Sequence, residues 1–161
     1  MSFRDKIIPY EKLADWRQRV RAAGKKLAVT NGCFDLLHAG HVIYLEGARQ
    51  QGDLLLVGIN GDHSVRELKG DGRPINPEAD RAAVLAGLQS VDAVCIFTET
   101  TAMRFLATAH PDIYVKGGNY TIDTINQEER RFVESMGGKV VLIPGAPHRS
   151  SSAMLEKLMR L

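Results

Sequence analysis

Residues 30 to 41 read Thr-Asn-Gly-Cys-Phe-Asp-Leu-Leu-His-Ala-Gly-His. The apolar run Leu27-Ala28-Val29 precedes them, and a helical pattern from Val42 to Ala48 follows. The stretch therefore reads as the end of a strand, a glycine-containing turn and the start of a helix. The next run, Leu54-Leu55-Leu56-Val57-Gly58-Ile59-Asn60, is almost continuously apolar, as strands buried on both faces of a parallel sheet are. Strand, helix and strand in so short a span make a right-handed crossover, and ligands bind such sheets at the carboxyl ends of the strands. At the end of this first strand, several backbone N–H groups and the positive end of a helix dipole converge, which suits a phosphate. His38 and His41 flank the helix start, and Gly40 between them lets a ligand approach the backbone. Two imidazoles, a glycine and a helix N-terminus describe a site where phosphate oxygens gain charge during a reaction. On these residues alone, a turn carrying two partly exposed histidines is the bland alternative. A zinc site is the weaker one, because the pair lacks the Glu of the metalloprotease helix motif.

At 161 residues the chain reads as one domain, with residues 1–25 as a helical extension packed on it. A net charge of +2 in an ordinary globular composition points to no nucleic acid and no membrane surface, so any basic site is local. Cys33 and Cys95 follow no metal or redox spacing, and no residues are singled out as resident metal ligands. The start, Met-Ser-Phe-Arg-Asp-Lys, has no apolar core for a signal peptide, and no later run is long enough to span a bilayer. The expectation is a cytoplasmic protein in a reducing compartment.

The spacing of Leu13, Trp16 and Val20 predicts an amphipathic helix over 10–23, with Arg17, Arg19 and Arg21 facing away from the core. Residues 65–77 are polar and rich in Gly and Pro, which predicts a solvated loop carrying Lys69 and Arg73; Arg81 then opens an apolar helix. A third strand is expected at 92–97, a helix at 101–109 with His110 as a surface cap, and a short fourth strand at 112–115. That strand runs into Lys116-Gly117-Gly118-Asn119-Tyr120, where a glycine pair lets backbone pass close to something. A helix over 126–136 and a fifth strand over 139–143 follow. Ser150, Ser151 and Ser152 start a last helix, where they serve at least as an N-cap. The sum is a doubly wound, Rossmann-like α/β domain with a five-stranded, mainly parallel sheet. Its first and fourth strands flank the switch point, gathering residues 30–41, 116–120 and 149–152 around one crevice.

Phe34-Asp35-Leu36-Leu37-His38-Ala39-Gly40-His41 resembles the signature of the nucleotidyltransferases related to the cytidylyltransferases. With the lead-in Thr30-Asn31-Gly32-Cys33, it is most similar to the heptose 1-phosphate adenylyltransferase branch. Three further blocks resemble the family in order and spacing. Arg73-Pro74 with Arg81 matches a block whose basic residues serve phosphates. Lys116 to Tyr120 matches a Lys-Gly-Gly-Asp-Tyr block with Asn119 in place of Asp, and Ser150 to Ser152 matches a Ser-Thr-Thr-like triphosphate motif. The resemblance implies the nucleotidyltransferase fold and transfer of AMP from ATP, accompanied by Mg²⁺, to a heptose 1-phosphate. The products are ADP-heptose, for lipopolysaccharide core synthesis, and pyrophosphate.

It implies catalytic roles for His38, His41, Lys69 and Arg81. Nucleotide contacts fall to Asn31, Gly32, Cys33, Phe34, Asp35, Gly40, Arg73, Lys116, Gly117 and Ser150 to Ser152, alongside both histidines and Arg81. Acceptor contacts fall to Lys69, Gly118, Asn119 and Tyr120. Asp35 is expected to orient the turn, and Arg149 is a chemically attractive extra contact. A homodimer is the family expectation, and a sugar kinase, often fused to such domains, is expected on a separate chain. The rival readings are a glycerol-3-phosphate cytidylyltransferase, an FAD synthetase and a non-catalytic nucleotide-binding module.

Overall fold

The computed structural model describes residues 1–145 and 150–161. Its strands are β1 (Leu27–Gly32), β2 (Leu54–Asn60), β3 (Ala93–Phe97), β4 (Ile113–Gly118) and β5 (Lys139–Pro144). The helices are α1 (Leu13–Ala22), α2 (Ala39–Arg49), α3 (Asp62–Lys69), α4 (Glu78–Ala86), α5 (Met103–Ala109), α6 (Gln127–Ser135) and α7 (Ser151–Met159). The strands form one sheet in the order β3-β2-β1-β4-β5, and every pairing is parallel. Alternate strand residues feed two cores. Leu27, Val29, Leu56 and Phe97 pack with Leu13 and Val20 of α1, Phe105 of α5 and Val133 of α6. Ala28, Leu55, Val57 and Val94 pack with Leu45 of α2 and Leu85 of α4. Burying each such leucine contributes about 1.5–3 kcal/mol, so a strand with both faces covered has to be apolar throughout. Among the described residues no helix is long and apolar enough to cross a membrane.

The chain builds outward from β1 through β2 to β3, then returns to place β4 on the other side of β1. The β1–β4 ladder is short, with register Ala28↔Ile113 and Val29↔Tyr114. Beyond it β1 stays with β2 to Gly32↔Ile59, and β4 stays with β5 to Gly118↔Pro144. The two strands thus part at their carboxyl ends. Tyr44 of α2 fills the gap: its hydroxyl donates to the Val115 carbonyl at 3.1 Å and lies 2.7 Å from the Thr30 hydroxyl. Gly117 is what admits the ring, because a Cβ there would overlap the Tyr44 side chain.

Three local expectations change. Residues 62–69 form α3 rather than loop. Val65 and Ser64 are buried against the sheet, and Asp62 and Glu78 each accept the other's backbone N–H, at 2.8 and 2.7 Å. About two turns with two apolar residues are too short to show a period in sequence. Arg17 faces inward, only 4% exposed, donating to the His110 carbonyl and to Asp112, each at 3.0 Å. Asp112 in turn accepts the Leu27 N–H at 2.8 Å, so the pair ties α1 to the start of β1. Finally, Gly117 and Gly118 belong to β4 itself.

The N-terminal extension covers the β3 edge, with Ile7 bridging Val94 and the Ile8 N–H donating to the Val94 carbonyl at 2.8 Å. Such cover blunts an edge that would otherwise invite pairing. In the middle of the sheet, a Cβ at Gly58 would stand 2.5 Å from the Phe105 ring. Gly58→Ala should therefore destabilise the fold by about 1–3 kcal/mol through overpacking. Urea denaturation checks this, and wild-type stability would show that Phe105 has room to move.

Candidate active site

The parting of β1 and β4 opens a crevice of about 640 Å³, within the roughly 300–1,000 Å³ usual for small-molecule sites. The turn after β1, the ends of α3 and β4, and the start of α7 line it. Phe34 makes the turn sharp. Its φ is 49°, a left-handed value that non-glycine residues avoid, and its nearly buried ring is set against His41 with centroids 5.5 Å apart. The side chain's packing holds the strained backbone in place.

His38 is the N-cap of α2. Its Nδ1 accepts the Gly40 N–H at 3.1 Å, and His41 Nδ1 accepts the His38 N–H at 3.3 Å. This is a capping box made from imidazoles, with the rings 4.1 Å apart. Because each Nδ1 acts as an acceptor, the neutral tautomer carries its hydrogen on Nε2 in both residues. His41 is pulled down to about 4, first by burial and then by its neighbour His38, so near neutrality it is an uncharged N–H donor.

Asp35 is 4% exposed and has no oxygen to spare. It accepts from Arg73 Nε at 2.8 Å, the Ile75 N–H at 2.7 Å and the Asn76 N–H at 2.8 Å. Burial pushes its carboxyl up, but the Asn76 and Ile75 amides and Arg73 outweigh this and leave it below the ordinary carboxylate value. It pins the segment after α3 to the turn, and Arg73 is held at the crevice by the same contact.

Arg81 stands elsewhere. Its guanidinium is fully buried and donates to the carbonyls of Asn76, Cys33 and Asn60 at 2.9, 2.8 and 2.7 Å, and to Asp62 at 2.8 Å. It is absent from the crevice lining. The structure makes it the clasp that joins the turn, the end of β2 and α4.

Lys69, Arg73, Lys116, Asn119 and Tyr120 all line the crevice, as do Asn31, Gly32, Cys33, Gly40, Gly117 and Gly118. Ser150, Ser151 and Ser152 line it too. Ser150 caps α7 by accepting the Ala153 N–H at 3.0 Å, while Ser151 donates to the Leu36 carbonyl at 2.7 Å and so fastens α7 to the turn. Arg149 lies outside the described residues. Sequence reasoning missed Thr30, Tyr44 and Leu68, which also line the site. Nothing in the helix pattern marks Tyr44, because its role arises only from the parted strands.

The crevice offers little to a metal ion. Asp35 is the lone carboxylate among the described lining residues, and its oxygens are taken. No group of three His, Cys, Asp or Glu side chains among the described residues is placed to hold an ion. The residues present do not fit a resident Mg²⁺.

Residues 29–156 match the family model described as Cytidylyltransferase-like. The chain belongs to the cytidylyltransferase-like family of nucleotidyltransferases. It is 47% identical over 154 residues to the bifunctional protein HldE of Citrifermentans bemidjiense, and 48% identical over 154 residues to that of Methylobacillus flagellatus. Each match covers 96% of this chain and 31% of the relative, so the chain spans under a third of those proteins. Among solved structures it resembles the lipopolysaccharide core biosynthesis protein from Thermoplasma volcanium. That match has a TM-score of 0.64 and 26% identity, and covers 78% of this chain and 100% of the other.

Two outcomes test this geometry. Arg81→Met leaves three carbonyls and Asp62 without their donor, and should cost about 3–5 kcal/mol in a urea melt. Lys69→Met, at an exposed position, should leave stability unchanged. Equal stability of the two variants would return Arg81 to the phosphates. For His41, the folded value of about 4 lies below the ordinary 6.5, so between these values the unfolded chain binds more protons. Stability contributed by neutral His41 is therefore full above the ordinary value and is lost as pH falls towards the folded one. His41 imidazole NMR signals should stay flat from about pH 8 to about pH 5.5; a midpoint near the ordinary value would overturn the neutral-donor assignment.

Proposed function

We propose that this domain transfers AMP from ATP to a heptose 1-phosphate, releasing pyrophosphate, within lipopolysaccharide core synthesis in the cytoplasm. The observation that carries this reading is the imidazole capping box at the start of α2. Both of its histidines and the α2 N-terminus line a crevice also lined by Lys69, Arg73 and Lys116. In the reaction a phosphate oxygen of the sugar 1-phosphate bonds to the α-phosphorus, and the bond from that phosphorus to the oxygen bridging to the β-phosphate breaks. The attacking oxygen is already anionic, so no strong base is needed. The work is to hold two anions together and to stabilise charge on the leaving pyrophosphate.

His38 and His41 serve the α/β-phosphate region as hydrogen-bond donors. A neutral His41 donates there without the proton exchange that a titrating imidazole brings. Lys69 and Arg73 supply mobile and fixed positive charge respectively. The α7 start, with Ser152 and backbone N–H groups, meets the terminal phosphates. Mg²⁺ arrives bound to ATP and shields its charge. Asn119 and Tyr120, exposed at the end of β4, offer neutral groups for a polyhydroxylated acceptor. Support for the sugar comes from the Lys116-Gly117-Gly118 block and from the relatives' association with lipopolysaccharide core synthesis.

Pyrophosphate release across a small matrix of nucleotides and acceptors tests the assignment. Heptose 1-phosphate with ATP should exceed glycerol 3-phosphate with CTP, and riboflavin 5′-phosphate with ATP, by about 10⁴ or more, the discrimination of sites that bond substrate hydroxyls. Comparable turnover with glycerol 3-phosphate and CTP would overturn the heptose assignment and leave the transferase chemistry standing.

A further inference from the structure

Below the crevice floor lies a buried carboxylate that the mechanism above does not use. Glu129 of α6 is 6% exposed. One oxygen accepts the Ala102 N–H at 3.1 Å, and the other accepts the Tyr114 hydroxyl at 3.0 Å. Tyr114 of β4 is 1% exposed, yet its hydroxyl also lies 2.6 Å from Asn31 Oδ1 and 3.3 Å from Lys116 Nζ. Asn31 and Lys116 are near the ends of β1 and β4, and both line the crevice. One phenolic oxygen thus bridges the two parted strands and links them to a carboxylate on a third element.

The hydrogen count makes this arrangement informative. A phenol has one hydrogen to give and lone pairs to receive. Here the Glu129 and Asn31 oxygens compete for the single hydrogen, while the Lys116 ammonium donates to the phenolic oxygen. The carboxylate is the stronger acceptor. A buried carboxylate serving only to cap α5 would need the Ala102 contact alone. The second oxygen is instead spent on the one side chain that reaches both crevice residues.

We propose that Glu129 is a positioning residue of the active site: through the Tyr114 hydroxyl it holds the Lys116 ammonium where the phosphates of a bound nucleotide need a cation. The inference rests on the nucleotide occupying this crevice and is independent of the acceptor. Lys116 lies over the Tyr114 ring, with Nζ 5.3 Å from its centroid, and the buried carboxylate is its countercharge while the crevice awaits an anion.

Burial lowers the Lys116 pKa and Glu129 acts against that fall, so removing the carboxylate's charge should lower it further. The other titratable groups packed around it stay neutral at moderate pH. Tyr114 is raised well above its ordinary value by burial and Glu129, Tyr44 from α2 is pushed up to about 12 by burial, and the Cys33 thiol after β1 is raised by burial. Among the described lining residues, Lys69 and Arg73 are the remaining lysine and arginine.

The test titrates ATP, and CTP in parallel, into the wild-type protein, Glu129→Gln and Tyr114→Phe from pH 6 to about pH 10 by calorimetry. Gln keeps an acceptor for Ala102, so its helix cap survives. The pH at which affinity falls on the alkaline side should drop by about one unit in both variants, because the ammonium loses its countercharge in Glu129→Gln and the oxygen that accepts its hydrogen bond in Tyr114→Phe, and either loss makes it give up its proton sooner. In a Lys116→Met background, Glu129→Gln should produce no such shift. Wild-type alkaline limbs in both folded variants would overturn the proposal, as would a shift that persists without Lys116. If Glu129→Gln does not fold, Tyr114→Phe decides by the same criterion. A wild-type protein that binds ATP yet releases no pyrophosphate with heptose 1-phosphate would defeat the proposed function and leave this inference intact.

Discussion

The structure turns on the place where β1 and β4 stop pairing. After Val29↔Tyr114 the two strands diverge, and each is held by its other neighbour. Unpaired backbone in a sheet interior needs partners. Tyr44 supplies one from above, by donating to the Val115 carbonyl, and Tyr114 supplies a side-chain bridge from below, by joining Asn31 and Lys116. The crevice is the space left between these two tyrosines and the α2 start. Gly117 is required there because the Tyr44 ring occupies the volume of its missing side chain.

Around that opening the charged residues divide by solvation. Arg81 and Asp35 are buried, each with every available partner in place, and they weld the turn after β1 to the segment before α4. Lys69, Arg73 and Lys116 face the crevice. A saturated buried cation contributes architecture, since moving it to a ligand would strand several carbonyls. A cation at an open crevice can exchange water for phosphate at little cost. The turn that carries the histidines is therefore held from behind by ions that do not react.

The histidines illustrate how preorganisation works without charge. Their Nδ1 atoms are taken up by the α2 capping box, which fixes both rings and leaves the neutral tautomers with their hydrogens on Nε2. Burial and the proximity of His38 keep His41 neutral, so its donor does not switch with moderate pH. Positive charge comes from residues farther around the rim.

Much of this was legible in the sequence because it is local. The strand-turn-helix of residues 27 to 48, the continuous apolar run of β2, and the serines opening α7 are each set by neighbours within a few residues. So were the five strands, their doubly wound order and the gathering of three segments at one crevice, which the crossover rule and the family resemblance supply. What the sequence could not show is which of several similar side chains points where. Arg17 and Arg81 look like surface or phosphate-binding arginines, and both are buried because distant partners, Asp112 and Asp62 with three carbonyls, await them in the fold. Tyr44, Tyr114 and Glu129 carry no motif, since their contacts span 14 to 83 positions. The residues alone determined that a glycine-containing turn and a helix start meet at the end of a parallel strand. Only the tertiary structure decided which charges face it, because burial and hydrogen-bond saturation are properties of the assembled neighbours.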